Sequence, residues 1–220
     1  MDGRALQRGA TAPLACEARP VVVKLGGSVI RSPDLTAWLD AIVSSPTPVV
    51  IVPGGGALAD EVRSCQQQLG FGDAAAHRMA LLAMDQLAWA VAGMRSGLEV
   101  GQDADALRDI MAQGHVAVWA PYAFVSGRAD MEATWRLTSD SLALWLAGQL
   151  GAAHCYIIKS VARRHEQAGA GQLARDGVVD EAFPAMLAET GVAAAIYGKG
   201  DQQALAASLA DNTPRGALIE

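Results

Sequence analysis

Three lysines stand among fourteen arginines in this 220-residue chain, and two of the three end apolar runs. Lys24 lies near the end of Val21-Val22-Val23-Lys24-Leu25, which runs into Gly26-Gly27-Ser28. Lys159 closes Cys155-Tyr156-Ile157-Ile158-Lys159, and Ser160 follows it. A third apolar run, Val49-Val50-Ile51-Val52, ends in Pro53-Gly54-Gly55-Gly56. Between them Thr138-Ser139-Asp140 sets a carboxylate at the start of a helical stretch. Glycines let backbone N–H groups approach phosphate oxygens closely. A following helix adds its positive N-terminal end, and lysines bring compact, mobile charge. The combination suits phosphoryl transfer, where catalysis is largely positioning and charge stabilisation.

Each of these residues also has a plainer reading. Glycines after strands make ordinary tight turns, and a lysine at a strand end is commonly a solvated charge. Thr-Ser-Asp is a helix-capping sequence. Asp140 is therefore either a cap or the partner that orients the two lysines, and one residue can do both. His77 sits on a helical stretch one turn before Leu81 and two before Met84 and Asp85. It is either a packed structural histidine or a donor to a ligand's phosphate. Lys199, in Gly198-Lys199-Gly200, has no assigned role. Gly54-x-Gly56-x-x-Ala59 fits a loose dinucleotide fingerprint, but no acidic residue ends a second strand about 20 residues later, where ribose recognition needs it. There is no G-x-x-x-x-G-K-[ST] run and no protein-kinase motif set.

The elements that must hold these residues alternate between strand and helix. Strands are expected at 21–25, 49–52, 98–100, 116–119, 155–159, 193–197 and 217–219. Helices are expected at 34–44, with Ser32 or Asp34 as cap, and at 57–69, 74–94 capped by Asp73, 103–112, 141–150 and 201–210. Residues 121–135 read as irregular, with a weak seam near 121–137, and the polar stretch 162–176 as a mobile loop. Such alternation implies an α/β fold with an open, mainly parallel sheet sandwiched between helices in three layers. Residues 1–19 read as a flexible leader and 20–220 as a single domain.

Composition narrows the partners. Half the chain is apolar and 18% is charged, which supports a sizeable core. A net charge of −6 argues against a broad nucleic-acid surface. Cys16, Cys65 and Cys155 are too far apart for a zinc site or a disulfide framework. No run is apolar enough to span a bilayer, and the first twenty residues contain no secretory apolar region. The expectation is a cytoplasmic protein with free thiols, no membrane or nucleic-acid partner, and no metal held by its own side chains.

Val23-Lys24-Leu25-Gly26-Gly27-Ser28, Val50-Ile51-Val52-Pro53-Gly54-Gly55-Gly56 and Thr138-Ser139-Asp140-Ser141-Leu142-Ala143, in that order, resemble the amino acid kinase family over about residues 20–220. The resemblance implies ATP with Mg²⁺ as phosphoryl donor. It implies that Lys24 contacts the transferring group, that Asp140 orients the lysines, and that Lys159 neutralises charge on the nucleotide side. Gly26, Gly27, Ser28 and Ser160 then serve the nucleotide phosphates. Gly54, Gly55, Gly56, Asp60, His77 and Ser139 serve the acceptor. Family habit and apolar helices imply a homo-oligomer. The chain departs from the family at Val161-Ala162-Arg163-Arg164-His165, where relatives carry a Val-Asp-Gly turn, and at Arg215-Gly216-Ala217, where they carry a Gly-Thr pair.

Further segments narrow the resemblance. Ala59-Asp60-Glu61-Val62-Arg63, Gly70 to Asp73, Ala76-His77-Arg78-Met79-Ala80, Ala83-Met84-Asp85-Gln86, Trp135-x-x-Thr138 and Ile158-Lys159-Ser160-Val161 resemble one branch of that family. That branch phosphorylates [5-(aminomethyl)furan-3-yl]methyl phosphate in methanofuran or methylofuran cofactor synthesis. The implied partner is a small phosphate monoester bearing an amine, and Asp60, Asp73 and Asp85 are the open candidates to meet that amine. The alternatives are another branch, acting on isopentenyl phosphate, a nucleotide monophosphate or a carboxylate, and a non-catalytic nucleotide- or oxyanion-binding protein.

Overall fold

A computed structural model describes residues 19–160 and 167–220. The expected leader falls outside these residues except for Arg19, and so do Cys16 and the 161–165 departure. The run around Lys24 forms strand β1 (Val21–Leu25), and the run before the glycine triad forms β2 (Val49–Pro53). Every residue of both is buried, as central strands covered on two faces must be. The chain continues through β3 (Leu98–Gly101), β4 (Val116–Trp119), β5 (His154–Ile158), β6 (Gln167–Ala168), β7 (Ala193–Tyr197) and β8 (Ala217–Ile219). These form one eight-stranded sheet in the order β3-β4-β2-β1-β5-β7-β8-β6. Only β7 and β8 pair antiparallel. Strands from both sides of the expected 121–137 seam thus enter the same sheet.

The helices are α1 (Gly27–Ile30), α2 (Leu35–Val43), α3 (Gly56–Leu69), α4 (Asp73–Ala92), α5 (Ala104–Ala112), α6 (Tyr122–Val125), α7 (Ser139–Leu150), α8 (Ala170–Arg175), α9 (Phe183–Thr190) and α10 (Gln202–Asp211). They cover both faces and divide the core in two. Val21, Val23 and Leu25 of β1 pack with Trp38, Leu39 and Ile42 of α2 and with Leu205 and Leu209 of α10. Val22 enters the opposite core, with Leu142 and Leu146 of α7 and Phe183 of α9. Side chains alternate along a strand, so Lys24 shares the face of Val22. Lys159 likewise shares the face of Cys155 and Ile157, which enter the α7 core. This parity aims both lysines at the helix that begins with Ser139 and Asp140. No helix among the described residues is long and apolar enough to cross a membrane.

Three expectations need correction. Part of the expected mobile loop is ordered structure, for it contains β6 and α8. Both elements are short and get their stability from the sheet edge: β6 pairs with β8, and Ala170 N–H donates to Glu220 O (2.7 Å). α9 has no counterpart among the expected helices, although Pro184 in its first turn and Gly191 at its end are helix signals. Asp73 does not cap α4. Gly72 occupies the cap position, and the Asp73 carboxylate accepts from Gln66 Nε2 (2.8 Å).

Candidate active site

Lys24, Asp140 and Lys159 meet in one buried cluster. Lys24 Nζ lies 2.5 Å from Asp140 Oδ1. Lys159 Nζ donates to both Asp140 oxygens, at 3.0 and 2.8 Å. Lys24 and Asp140 are only 3% and 5% exposed, so solvent does little to screen the charges. Burial alone would push the Asp140 carboxyl up, but the two ammonium groups overturn that and hold it below the usual carboxylate range. Burial, with the neighbouring Lys24 ammonium, pushes Lys159 down to about 8 against the pull of Asp140. Two cations share one anion, and the unmatched positive charge suits an incoming phosphate.

Asp140 does not cap its own helix. α7 has no side-chain cap from Thr138, the residue at its cap position. The acceptor there is Asp180, which precedes α9. Its Oδ2 accepts from Thr138 N–H (3.0 Å), Thr138 Oγ1 (2.8 Å) and Ser141 N–H (3.0 Å), and its Oδ1 accepts from the Ser141 hydroxyl. Asp140 is thereby left to the lysines.

The two glycine loops touch above this cluster. A Cβ on Gly27 would lie 2.6 Å from Gly56 Cα and 2.8 Å from Gly56 N, so no side chain fits there. Gly56 has φ +50°, in the region that favours glycine. Two expected donors are already engaged: Gly26 N–H bonds Ile158 O (3.1 Å) and Gly54 N–H bonds Leu25 O (2.8 Å). Those glycines permit close backbone packing and do not offer their N–H groups to a ligand. The first N–H groups of α3, by contrast, have no partner within the helix.

A cavity of about 310 Å³ opens against these loops. Its lining includes Gly27, Ser28, Gly54, Gly55, Gly56, Asp60, His77 and Ser139. Arg31, Arg63 and Trp135 line it too, and sequence reading gave the arginines no role. The Arg63 guanidinium lies 4.3 Å from the Trp135 ring centre, and Trp135 Nε1 donates to Gln66 Oε1 (2.6 Å). Asp60 and Arg63 follow Gly56 by four and seven residues on α3, a spacing that sets all three on one face. Of the three aspartates considered for an amine, Asp60 is the one at the cavity. Asp73 is bonded to Gln66, and Asp85 accepts Tyr122 N–H (3.0 Å). His77 is buried, bonds no other described residue, and is pushed towards its neutral form by burial.

Lys159 and Ser160 face a second cavity of about 110 Å³, shared with Asp34, Trp38 and Lys199. Lys199, unassigned from sequence, thus comes beside Lys159. The Ser28 and Ser160 hydroxyls are hydrogen-bonded at 2.8 Å, joining the rims of the two cavities. At the other departure, Arg215 N–H donates to Tyr197 Oη (3.1 Å) and Ser208 Oγ (3.0 Å), which anchors β8.

Comparisons with known proteins give the family and the fold. The profile of the amino acid kinase family matches residues 19–163. The chain is 29% identical over 182 residues to the [5-(aminomethyl)furan-3-yl]methyl phosphate kinase of Methanocaldococcus jannaschii, covering 76% of this chain and 82% of that protein. Among solved structures, uridylate kinase from Archaeoglobus fulgidus superposes with a TM-score of 0.68 at 16% identity, covering 91% of this chain and 99% of that one. UMP kinase from Ureaplasma parvum gives 0.67 at 14% identity, covering 93% and 97%. The chain belongs to the amino acid kinase family and is a phosphotransferase.

Proposed function

We propose that the chain transfers the γ-phosphoryl group of ATP to the phosphate of [5-(aminomethyl)furan-3-yl]methyl phosphate, forming the diphosphate. The observation that carries this reading is the mixed charge of the larger cavity. Arg31, Arg63 and the start of α3 suit a phosphate, and the Asp60 carboxylate suits an amine. The cavity of about 310 Å³ lies at the small end of ligand sites, which run from roughly 300 to 1,000 Å³, and is large enough for a single-ring acceptor.

In this reading the acceptor phosphate rests against Gly54, Gly55, Gly56 and Ser139, and the ring lies towards His77, Leu81 and Met84. His77, neutral, donates one N–H to the acceptor. The nucleotide phosphates lie along Gly27, Ser28, Lys159 and Ser160. The acceptor oxygen attacks the γ-phosphorus in line, the bond to the ADP oxygen breaks, and Lys24 and Lys159 stabilise the charge on the moving group. Asp140 holds the two ammonium groups apart and aimed. Its oxygens are occupied by the lysines, so it does not fit a metal-ligand role, and Mg²⁺ enters as part of the Mg·ATP substrate. The chain also works as a homo-oligomer through α4, where Met79, Leu82 and Trp89 form an exposed apolar stripe, Trp89 being 63% exposed. Light scattering checks this, with Trp89→Glu expected to lower the assembled mass.

An acceptor panel tests the function. With Mg·ATP the aminomethylfuran phosphate is expected to react best. The unphosphorylated alcohol leaves the cavity's donors unpaired and reacts poorly. The analogue without its amine loses its charge-assisted bond to Asp60 and also reacts poorly. EDTA stops turnover. Faster turnover of isopentenyl phosphate overturns the aminomethylfuran reading and leaves the phosphotransferase standing.

A further inference from the structure

We propose that Asp180 is a positioning residue for phosphoryl transfer: by capping α7 from a distant loop it frees Asp140 to hold Lys24 and Lys159, and it fixes Ser139 at the acceptor cavity. The inference rests on the role proposed above for Asp140.

The first N–H groups of a helix need an acceptor, and the usual one is the side chain at the cap position. Here that residue is Thr138, and its hydroxyl donates outward to Asp180 instead. The cap bond to Ser141 N–H (3.0 Å) comes from a carboxylate 39 residues further along the chain. The neighbours of Asp180 grip the same segment. Ala182 N–H donates to Arg136 O (3.0 Å), and Arg136 Nε donates to Glu181 Oε2 (3.1 Å). Residues 180–182 thus strap down 136–141, which includes Leu137, Thr138 and Ser139 of the acceptor cavity as well as Asp140.

Competition for one carboxylate makes this more than a structural contact. Asp140 lies in the first turn of α7, where a carboxylate is attracted to the helix's own N–H groups and dipole. With Asp180 in place those groups are satisfied. Without it, Asp140 is the nearest anion able to answer them, and each step it takes towards the helix end is a step away from Lys159. Misplacement on the ångström scale costs roughly 10²-fold in rate.

Asp180→Asn keeps the shape and removes the charge. Its kcat is expected to fall roughly 10–100-fold, with the KM of ATP within a few-fold of wild type. A purely structural role would not move the pH profile. Lys159 must be protonated to neutralise phosphate, so kcat/KM in the wild type falls as pH rises through about 8. Lys159 is faced by Lys24 and Asp140, and it shares the second cavity with Lys199 and Asp34. If Asp140 drifts away, burial and Lys24 act unopposed and the alkaline limb moves to lower pH. An unmoved limb with unchanged kcat overturns the inference, and so does a rate loss that only tracks the unfolded fraction. Should Asp180→Asn fail to fold, Ser141→Ala removes a single donor to Asp180 and carries the same test at smaller magnitude. Asp140→Asn assayed alongside separates the two ideas. If that variant is harmless, the role of Asp140 has failed. If it is crippled while Asp180→Asn is not, this inference alone has failed.

Discussion

Replacing Lys159 with Met is expected to lower kcat roughly 10²–10³-fold, or about 3–4 kcal/mol in the transition state, while leaving the folded protein at least as stable at pH 7. The two halves of that result have one cause. Lys159 is pushed down to about 8 because burial and the Lys24 ammonium outweigh Asp140. The unfolded chain therefore binds the proton more tightly than the folded one. Stability rises with pH between about 8 and the ordinary lysine value, and the full cost of carrying the charge is present below about 8. Met fills the space of the stem and removes that cost, which is on the order of 3 kcal/mol. Lys24→Ala should lose as much rate, since its ammonium lies 2.5 Å from the same carboxylate. Its removal leaves a balanced Lys159–Asp140 pair, so it too should fold. Steady-state rates and thermal melts of both variants check this. Near-wild-type turnover in either contradicts the assigned roles.

Asp140→Asn is expected to do the opposite to stability and the same to rate. It leaves two buried ammonium groups facing each other with no anion between them, and breaking a buried ion pair in this way costs about 3–5 kcal/mol. Some stability should return as pH rises and one lysine deprotonates. Adding Lys159→Met to Asp140→Asn should recover part of the melting temperature, because the like-charge contact is gone, but not turnover, because Lys24 stays buried without an anion and the phosphate-binding charge is not replaced. A double-mutant cycle reads this directly as a coupling between the two sites. Additive losses would mean that the residues act independently. If instead Asp140 mattered only as a helix cap, Asn would serve nearly as well. The structure speaks against that, since the cap of α7 comes from Asp180.

The lysines and glycine loops were legible because their signals are local. A β-branched run that ends in glycines specifies both the strand and the loop at its carboxyl end, where open α/β sheets bind ligands. Strand parity then carries Lys24 and Lys159 to one face. Other features depend on partners remote in sequence. Asp180 shows nothing in its own neighbourhood to announce a cap for residues 138–141. β6 has two residues and α8 has six, too few to show a period, and they are ordered by the sheet edge. Gly26 and Gly54 read as phosphate donors because sequence cannot tell that neighbouring strands already take their N–H groups. Arg63 was within reach, for its spacing from Gly56 and Asp60 on a single helix is a local pattern. Its contact with Trp135 spans 72 residues of chain and was not.

The central claim is that a phosphorus–oxygen–phosphorus link forms between the transferred group and the acceptor's own phosphate. Phosphorus-31 NMR of a reaction containing Mg·ATP and the aminomethylfuran phosphate observes that link. The expected result is loss of the acceptor's single monoester resonance and growth of two mutually coupled doublets, matched one for one by ADP. An acceptor resonance that stays a singlet while ATP is unchanged, or while ATP yields only ADP and inorganic phosphate, would contradict it.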